Sequence, residues 1–366
     1  MNESVQDDNG TPATKYRRIV VTQHGGPVVL RVGEEDLPEP GAGEARVKVI
    51  AAGVSAYDLM FRSSGTLPGT PKVPFTLGTD VVGAVDKVGE EASPGGPSVL
   101  DAGQMVAGAT FRTGGLGGYA EYICLPTSEL VPVPQGVDPA QAVCLVANYL
   151  TAYMAMHGIA NVQSGERILV QGAAGGVGTA LLELGGLAGL EMYGTASKYN
   201  HKVVSARGAT PIDYRNEDVV RRIRDLTGDG VDVVFDPIGG AGQLWRSKRA
   251  LRKDGRLVWF GVAATKKKGM RVIPLTLLTV GLLKLLPDGK KVLTTPDLSK
   301  DNAWYRGTLA ELLDKLAAGE INPLVAERIP LVEAARAHEL LEQGGYAGKV
   351  VLVTGTYSRP VNAVHS

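Results

Sequence analysis

The chain has 366 residues, 44% of them hydrophobic, which is enough for two domains with a large core. Its 38 basic and 38 acidic residues give a formal net charge of zero, so no overall field favours nucleic acid as a partner. The two cysteines, Cys124 and Cys144, lie outside any CxxC motif, which excludes a disulfide framework and a four-cysteine zinc lobe.

The first third of the chain indicates a tail followed by a β-rich domain. Residues 1–15 are polar and acidic and lack the apolar core of a signal peptide, so we expect a disordered tail and a cytoplasmic protein. Residues 16–138 are expected to form one domain of short strands. Its strand candidates are rich in Val and Ile and are separated by Gly and Pro: RRIVVTQHG, VLRVGEEDLP, EARVKVIAAGVS, VVGAVDKVGE and QMVAGAT.

From about residue 139 the pattern changes to α/β. Asp138 and Pro139 are typical of a helix start, and the apolar stretch after them predicts one long helix. Beyond it, strand and helix candidates alternate strictly, from RILVQG through TPIDY and VDVVFDPIG to RLVWFGV. Such alternation indicates a doubly wound parallel sheet with helices on both faces, here over residues 139–322. The closing strand KVVLVTG in residues 323–366 could join either domain.

The most apolar stretch of the sequence is residues 270–287. Arg271, Pro274, Lys284 and Pro287 interrupt it, so it is too short and too broken to span a bilayer, and we expect no stable membrane insertion. A buried helix or an apolar lid is the simpler interpretation. For the whole segment 265–303 we predict an apolar flap near the active-site cleft, with a dimer contact or a loop as alternatives.

A glycine cluster, VQGAAGGVGTA, stands between the predicted strand RILVQ and the helix that follows it. In nucleotide-binding βα turns, glycines make the tight turn, admit the pyrophosphate to the backbone and let the helix pack on the strand. The diphosphate then lies on the helix N-terminus. The residues predicted to hold it are Gly172, Ala173, Gly175, Gly176, Val177 and Gly178.

The second strand of this half favours NADPH over NADH. An NAD-binding strand usually ends near an acidic residue that binds the ribose, whereas LEMYGTASKYNHK ends without one. Hydroxyls and positive charges suit the extra phosphate of NADPH, although the lysines could equally be solvated helix charges. The residues predicted here are Thr195, Ser197, Lys198 and Lys202, with Tyr214 after the third strand.

These motifs in this order resemble the medium-chain dehydrogenase/reductase superfamily. AAGGVG, GTAS, PIDY, GVDVVFDPIGG and GRLVWFGV, together with AAGVSAYDLMFRSSG and ANYLTAY, are most similar to the zinc-independent quinone oxidoreductases and to their VAT-1-like branch. The resemblance covers residues 16–354. It implies a GroES-like catalytic domain, a Rossmann domain that binds NADPH, a return of residues 323–366 to the catalytic domain, a cleft between the domains and a homodimer.

The resemblance also indicates that no metal is bound. Zinc-dependent relatives carry an early Cys where this chain has Ser55, and a Gly-His-Glu where it has Gly78-Thr79-Asp80. A catalytic zinc needs about three Cys, His or carboxylate ligands, and the sequence offers no such cluster. Quinone reductases commonly have Asn at the position of Ser55 and Glu at that of Asp80, so the substrate is less well defined than the fold.

Site residues follow from the same matches. Tyr57, Ser55 and Asn148 are the candidate catalytic donors, with Tyr57 alternatively an aromatic wall of the pocket and Asn148 alternatively a helix-to-helix contact. The residues that match nicotinamide-side positions are Thr151, Ile238, Gly239, Gly261 and Val262. The predicted activity is metal-free hydride transfer to a quinone or α,β-unsaturated carbonyl. The alternatives are an enoyl reductase for a specialised or carrier-bound metabolite and a non-catalytic NADPH-binding protein.

Overall fold

A computed structural model describes residues 14–65, 70–90, 100–110, 116–261, 263, 272–294 and 301–355. The chain divides into two compact units. The first contains residues 1–143, 327–339 and 350–366, and the second contains residues 144–326 and 340–349. Most of the predicted N-terminal tail lies outside the described residues, and Lys15 already begins a strand.

The strands of the described residues, in chain order, are β1 Lys15–Val21, β2 Leu30–Asp36, β3 Glu44–Gly53, β4 Phe75–Thr76, β5 Asp80–Val88, β6 Met105–Ala109, β7 Tyr122–Pro126, β8 Leu130–Pro132, β9 Arg167–Val170, β10 Glu191–Ala196, β11 Thr210–Asp213, β12 Val231–Asp236, β13 Leu251–Trp259, β14 Lys291–Thr294, β15 Val325–Pro330 and β16 Lys349–Val353.

Within the described residues, the helices of four or more residues are α1 Ala56–Ser63, α2 Pro139–Ala160, α3 Gly176–Leu187, α4 His201–Ala206, α5 Val219–Thr227, α6 Ala241–Ala250, α7 Val272–Leu285, α8 Asn302–Ala317 and α9 Ala334–Gln343. Helix α2 includes two π-helical stretches, Leu145–Tyr149 and Met154–Ala160. One of these holds Asn148.

The first unit is built from antiparallel sheets. One sheet has the order β2-β1-β4, and the larger one has the order β15-β16-β3-β5-β6-β8, with β7 also paired to β3. The inward side chains of β3 and β5 are buried Val and Ala, which form the core of this unit. Strand β16 pairs with β3 through Val351 and Gly53, so the closing strand KVVLVTG joins this sheet.

The second unit is a parallel sheet with the order β11-β10-β9-β12-β13-β14. Counted from β9, this is the order 3-2-1-4-5-6 of doubly wound dinucleotide-binding folds, which confirms the α/β prediction. Every residue of the central strand β12 is buried, because helices cover both of its faces. The order reverses between β9 and β12, and ligands bind in such folds where the strand order reverses.

Two features of the second unit differ from the sequence predictions. Strand β13 begins at Leu251, five residues before the predicted RLVWFGV, because the helix ends at Ala250. Residues 272–294 form α7 and the sheet's sixth strand, β14, rather than an apolar flap, so that interpretation is wrong for them. The remainder of segment 265–303, except for residues 301–303, lies outside the described residues.

Among the described residues, one helix is long and apolar enough to cross a membrane by length and composition. This helix is α2, and 67% of its apolar window is buried inside the protein. The core helices of globular proteins pass the same test, so its composition alone is weak support for a membrane span.

Candidate functional site

The glycine turn after β9 has a backbone that side chains would obstruct. Gly172 has a φ of +66°, in the left-handed region that favours glycine. A Cβ on Gly178 would lie 2.3 Å from the carbonyl oxygen of Gly172, so α3 can pack on this turn only with glycine there. Gly175 is the N-cap of α3 and has no side chain to cap the first N–H groups, which leaves the helix N-terminus suited to an anion.

A cavity of about 690 Å³ opens beside this turn at the carboxyl ends of β9 to β12. It lies wholly within the second unit. Its walls come from the loops after four successive parallel strands and from residues 341–346. Among the lining residues are Gln171, Gly172, Gly175, Thr195, Ser197, Asn200, Tyr214, Arg215, Ile238, Gly239, Gly240, Gln243, Arg246 and Tyr346.

Seven of the predicted cofactor residues line this cavity: Gly172, Gly175, Thr195, Ser197, Tyr214, Ile238 and Gly239. The others lie outside its lining, namely Thr151, Ala173, Gly176, Val177, Gly178, Lys198, Lys202 and Gly261. Val262 lies outside the described residues. Ala173 and Gly178 are packed inside the turn itself, where they set its shape.

Buried polar side chains fix the two loops that meet at the strand reversal. Asp236, fully buried at the end of β12, accepts hydrogen bonds from the backbone N–H groups of Ile238 at 2.8 Å and Gly239 at 3.0 Å. Its second oxygen accepts one from the Ser247 hydroxyl at 2.7 Å. Burial raises the pKa of Asp236, and these donors offset part of that effect.

The same network continues into the glycine turn. The amide of Gln171 donates to Ser247, and the Gln171 carbonyl oxygen accepts from the hydroxyl of Thr195 at 2.9 Å. The Thr195 oxygen in turn accepts the backbone N–H of Gly172 at 3.0 Å. Because each of these groups is paired, the backbone on both sides of the cavity is held in one conformation.

Two arginines that the sequence analysis did not predict, Arg215 and Arg246, place positive charge on the cavity wall. Arg215 lines the wall beside Tyr214, with its guanidinium carbon 5.8 Å from the tyrosine ring centre, and Arg246 lines the cavity from helix α6. Asp213 holds this turn because its carboxylate accepts from the backbone N–H of Arg215 at 3.0 Å. These two arginines are therefore candidates for a phosphate beside Ser197 and Tyr214.

Asn148 lies against the start of α3. A Cβ on Gly176 would lie 2.2 Å from the Asn148 amide nitrogen, so the side chain rests directly on the glycine backbone. Asn148 is also in the π-helical stretch Leu145–Tyr149, and such stretches often occur at functional sites. Thr151 lies one turn further along α2 and is partly buried.

In the first unit, Ser55 and Asp58 form a reciprocal cap at the start of α1. The Ser55 hydroxyl donates to an Asp58 carboxylate oxygen at 2.6 Å, and the Ser55 backbone N–H donates to the same oxygen at 2.8 Å. The other Asp58 oxygen accepts the Gly78 N–H at 3.0 Å. Asp58 is fully buried, and burial raises its pKa to about 6. Its donors counteract that rise.

A buried chain of polar groups lies behind Asp58. Tyr119 hydrogen-bonds to Asp58 and lies 3.3 Å from His338 Nε2, and Arg62 Nη1 lies 3.1 Å from His338 Nδ1. Burial and the neighbouring guanidinium lower the pKa of His338 to about 3, so the imidazole is neutral. A neutral ring that accepts at Nδ1 carries its proton on Nε2 and donates to Tyr119.

Tyr57 and Asp80 have different environments. Tyr57 is 54% exposed at the start of α1, and its ring centre lies 6.5 Å from that of Phe61. Burial around the phenol raises the pKa of Tyr57, so the group keeps its proton at neutral pH. Asp80 is fully buried and accepts from the Thr79 hydroxyl at 2.7 Å. Within the part of the chain that the structure describes, no three His, Cys, Asp or Glu side chains are grouped to hold a metal ion.

Comparisons with known proteins agree with this arrangement. The alcohol dehydrogenase GroES-like domain profile matches residues 41–135, and the zinc-binding dehydrogenase profile matches residues 208–352. A quinone oxidoreductase of Pseudomonas aeruginosa is 33% identical over 344 residues, which are 92% of this chain and 99% of the relative. The chain belongs to the quinone oxidoreductase family. Its similarity extends to the VAT-1-like branch, since the human synaptic vesicle membrane protein VAT-1 homolog is 31% identical over 93% of this chain and 86% of the relative.

Solved structures of quinone oxidoreductases have the same fold. The Escherichia coli quinone oxidoreductase complexed with NADPH has a TM-score of 0.81 at 29% identity, covering 92% of this chain and 99% of that chain. A mycobacterial protein complexed with NADPH has a TM-score of 0.79 at 31% identity, with the same coverage of both chains. These likenesses confirm the GroES-like and Rossmann fold prediction.

Sequence reasoning about this quinone oxidoreductase homologue missed Asp58, Asp236, Arg215 and Arg246. The spacing Ser55-x-x-Asp58 before an apolar stretch is a capping-box signal and could have identified Asp58. Asp236 ends a fully buried strand, where an acidic residue needs hydrogen-bond donors around it. The arginines carry no such signal, because their place on the cavity wall depends on turns that the sequence does not specify.

Proposed function

We propose that the protein is an NADPH-dependent reductase that transfers hydride to a quinone or an α,β-unsaturated carbonyl compound without a metal ion. The observation that carries this proposal is the cavity of the second unit, where a rigid glycine turn lies beside two arginines. The family membership supports oxidoreductase chemistry, and the structures of relatives with NADPH support the cofactor.

The residues present fit NADPH. The glycine turn and the N-terminus of α3 suit the pyrophosphate, because no side chain caps the start of the helix and a Cβ at Gly172 would project into open space. Ser197, Tyr214 and Arg215 provide hydroxyls and a positive charge for the additional phosphate. The loop at Ile238 and Gly239, fixed by Asp236, is a candidate for the nicotinamide end.

When bound, NADPH supplies the hydride. What this chain must supply is orientation, exclusion of water and stabilisation of the negative charge that develops on the acceptor oxygen. A conjugated acceptor spreads this charge over several atoms, so a neutral hydroxyl or amide donor is sufficient. Tyr57 has a protonated phenol, Asn148 has an amide, and Ser55 has a hydroxyl that bonds Asp58.

Metal independence is proposed from residue types. Ser55 stands where zinc-dependent relatives have Cys, and Thr79 and Asp80 stand where they have His and Glu. Neutral Ser and Thr hydroxyls are poor zinc ligands compared with thiolate and imidazole. We also propose that the protein is cytoplasmic and homodimeric, as its family resemblance implies. Size-exclusion chromatography with light scattering tests the dimer.

The test of the function is a cofactor and acceptor panel. NADPH and NADH are titrated separately by fluorescence, and oxidation of the preferred cofactor is followed by absorbance with quinones, enals, enones and saturated ketones. We expect tighter binding of NADPH and turnover of conjugated acceptors only, unchanged after dialysis against a chelator. Turnover of saturated ketones that the chelator abolishes would contradict the metal-free reaction. Tight binding with no turnover would instead indicate the binding-protein alternative.

A further inference from the structure

One wall of the cavity in the second unit comes from residues near the end of the chain. Residues 341–346 line the cavity, and they belong to the second unit. We call residues 341–348 the strap. Gly344 and Gly345, directly after α9, have φ values of +68° and +87°, and the Gly344 N–H donates to the Leu340 carbonyl oxygen at 3.0 Å. These glycines end the helix and turn the chain along the cavity.

The far end of the strap is bonded to the glycine turn. The Gly348 N–H donates to the Ala174 carbonyl oxygen at 2.9 Å, and Gly348 forms an isolated parallel bridge with Gly175, the N-cap of α3. Between the two ends of the strap, the backbone carbonyl of Tyr346 accepts from the Asn200 amide at 3.4 Å. The backbone of Tyr346 is therefore held beside the glycine turn and the loop after β10.

The side chain of Tyr346 differs from those of the buried tyrosines in the same unit. The hydroxyls of Tyr149 and Tyr193 donate to Glu183 and Glu191, whereas within the described part of the chain no group pairs with the Tyr346 hydroxyl. Burial raises the pKa of Tyr346 to about 12, so the phenol keeps its proton at neutral pH. Buried tyrosine hydroxyls usually have a hydrogen-bond partner. This donor is therefore available to a ligand in the cavity.

We infer that Tyr346 is a cofactor-binding residue whose hydroxyl donates a hydrogen bond to the diphosphate of NADPH. This inference rests on the proposed function, which places the diphosphate on the glycine turn. Tyr346 is two residues from Gly348, the strap residue that pairs with that turn. Diphosphate oxygens are ionised acceptors, and a hydrogen bond to an ionised acceptor is stronger than one between neutral groups.

The additional phosphate of NADPH is the competing acceptor. It is proposed to lie beside Arg215, and the contact of Tyr346 with Asn200 extends toward that side of the cavity. That contact is long, at 3.4 Å, whereas Gly348 bonds Ala174 at 2.9 Å, so the strap is tied more closely to the glycine turn. The two acceptors have different consequences. A diphosphate contact serves NADPH and NADH alike, because both contain a diphosphate, whereas a contact to the additional phosphate serves NADPH alone.

The experiment is fluorescence titration of the full chain and of Tyr346→Phe with NADPH and with NADH. Phenylalanine keeps the ring and removes only the donor, so we expect both affinities to fall by the same factor, about tenfold. Without cofactor, the variant should melt as the wild type does, because no described protein group pairs with the hydroxyl. The control is Tyr199→Phe, since Tyr199 is 82% exposed and lies outside the cavity lining. It should bind both cofactors as the wild type does.

A second ligand separates the two phosphates of the cofactor. Adenosine 2′-phosphate carries the additional phosphate without the diphosphate, so it should bind Tyr346→Phe and the wild type equally well. A loss confined to NADPH and adenosine 2′-phosphate overturns the diphosphate contact, and so does an unchanged affinity of Tyr346→Phe for both cofactors. In these cases the wild type still binds NADPH, and the proposed function stands. A wild type that binds neither cofactor overturns the proposed function as well. None of these readouts requires catalytic activity.

Discussion

The hydroxyl of Ser55 donates a hydrogen bond to the carboxylate of Asp58 over 2.6 Å, at the first turn of the helix that also carries Tyr57. This contact directs the serine proton toward the buried carboxylate. When Asp58 is itself protonated, it can donate to Ser55, and the serine proton is then available to another acceptor. The residue that replaces the family's asparagine is thus coupled to the protonation of Asp58.

The first prediction concerns the cap. Ser55→Ala removes a hydroxyl that accepts the Asp58 N–H and donates to its carboxylate, so we expect a loss of about 1 kcal/mol of stability. Ser55→Asn also caps helices well and should retain most of the wild-type melting temperature. Thermal unfolding of both variants, with the acceptor panel run alongside, separates the structural role of Ser55 from a catalytic one. Equal melting temperatures in Ser55→Ala and the wild type would contradict the role of the cap.

The second prediction concerns pH. The pKa of Asp58 rises from 3.8 to about 6 on folding. Between these values the unfolded chain has released its proton while the folded chain keeps it, so stability falls as pH rises and stays low above pH 6. The full effect is about 3 kcal/mol. The Asp58→Asn side chain does not titrate. We therefore expect the melting temperature of the wild type to fall relative to that of Asp58→Asn between pH 4 and pH 7. A constant difference would contradict the raised pKa.

Much of the second unit could be predicted from the sequence because its signals are local. The glycine turn and the alternation of strands and helices depend on residue types at short spacing, and the structure gives Gly172 a positive φ and leaves no room for a Cβ on Gly178. The flap prediction failed for residues 272–294 because they are tied to the rest of the unit by polar contacts of Thr276 and Lys248 and by strand pairing, which an apolar sequence pattern does not reveal. The contacts of Asp58 with Gly78 and Tyr119 join residues distant in the sequence, which periodicity does not reveal.

The third prediction tests the close packing of the glycine turn. In Gly178→Ala the new Cβ would meet the Gly172 carbonyl oxygen at 2.3 Å and the Ala173 Cα at 2.8 Å, and backbone atoms cannot move aside cheaply. We expect NADPH affinity to fall by about tenfold or more, with a lower melting temperature. Gly186→Ala on the same helix is the control, because its Cβ would meet only the Met192 methyl at 3.7 Å. That change should stabilise α3 by up to about 1 kcal/mol.

The fourth prediction distinguishes the candidates for the additional phosphate. Arg215 lines the cavity beside Ser197 and Tyr214, while Lys198 and Lys202 lie outside its lining. We expect Arg215→Ala to weaken NADPH binding by about tenfold, because a charged hydrogen bond to phosphate is lost, and to leave NADH binding nearly unchanged. Fluorescence titration of Arg215→Ala, Lys198→Ala and Lys202→Ala with both cofactors measures this. A larger loss of NADPH selectivity in a lysine variant would support the sequence prediction over the arginine.

The last prediction concerns the carboxylate that holds the cavity loop. Asp236→Ala leaves the buried N–H groups of Ile238 and Gly239 without their acceptor, and each such loss costs about 1–3 kcal/mol. NADPH affinity and the melting temperature should therefore fall together. Asp236→Asn retains one oxygen for both N–H groups but removes the acceptor of the Ser247 hydroxyl, so it should lose less than Asp236→Ala does but should not match the wild type. Asp225→Ala, at an exposed ion pair with Arg221 on α5, is the control and should change neither quantity. If Asp236→Ala binds NADPH as the wild type does, the loop does not depend on this carboxylate.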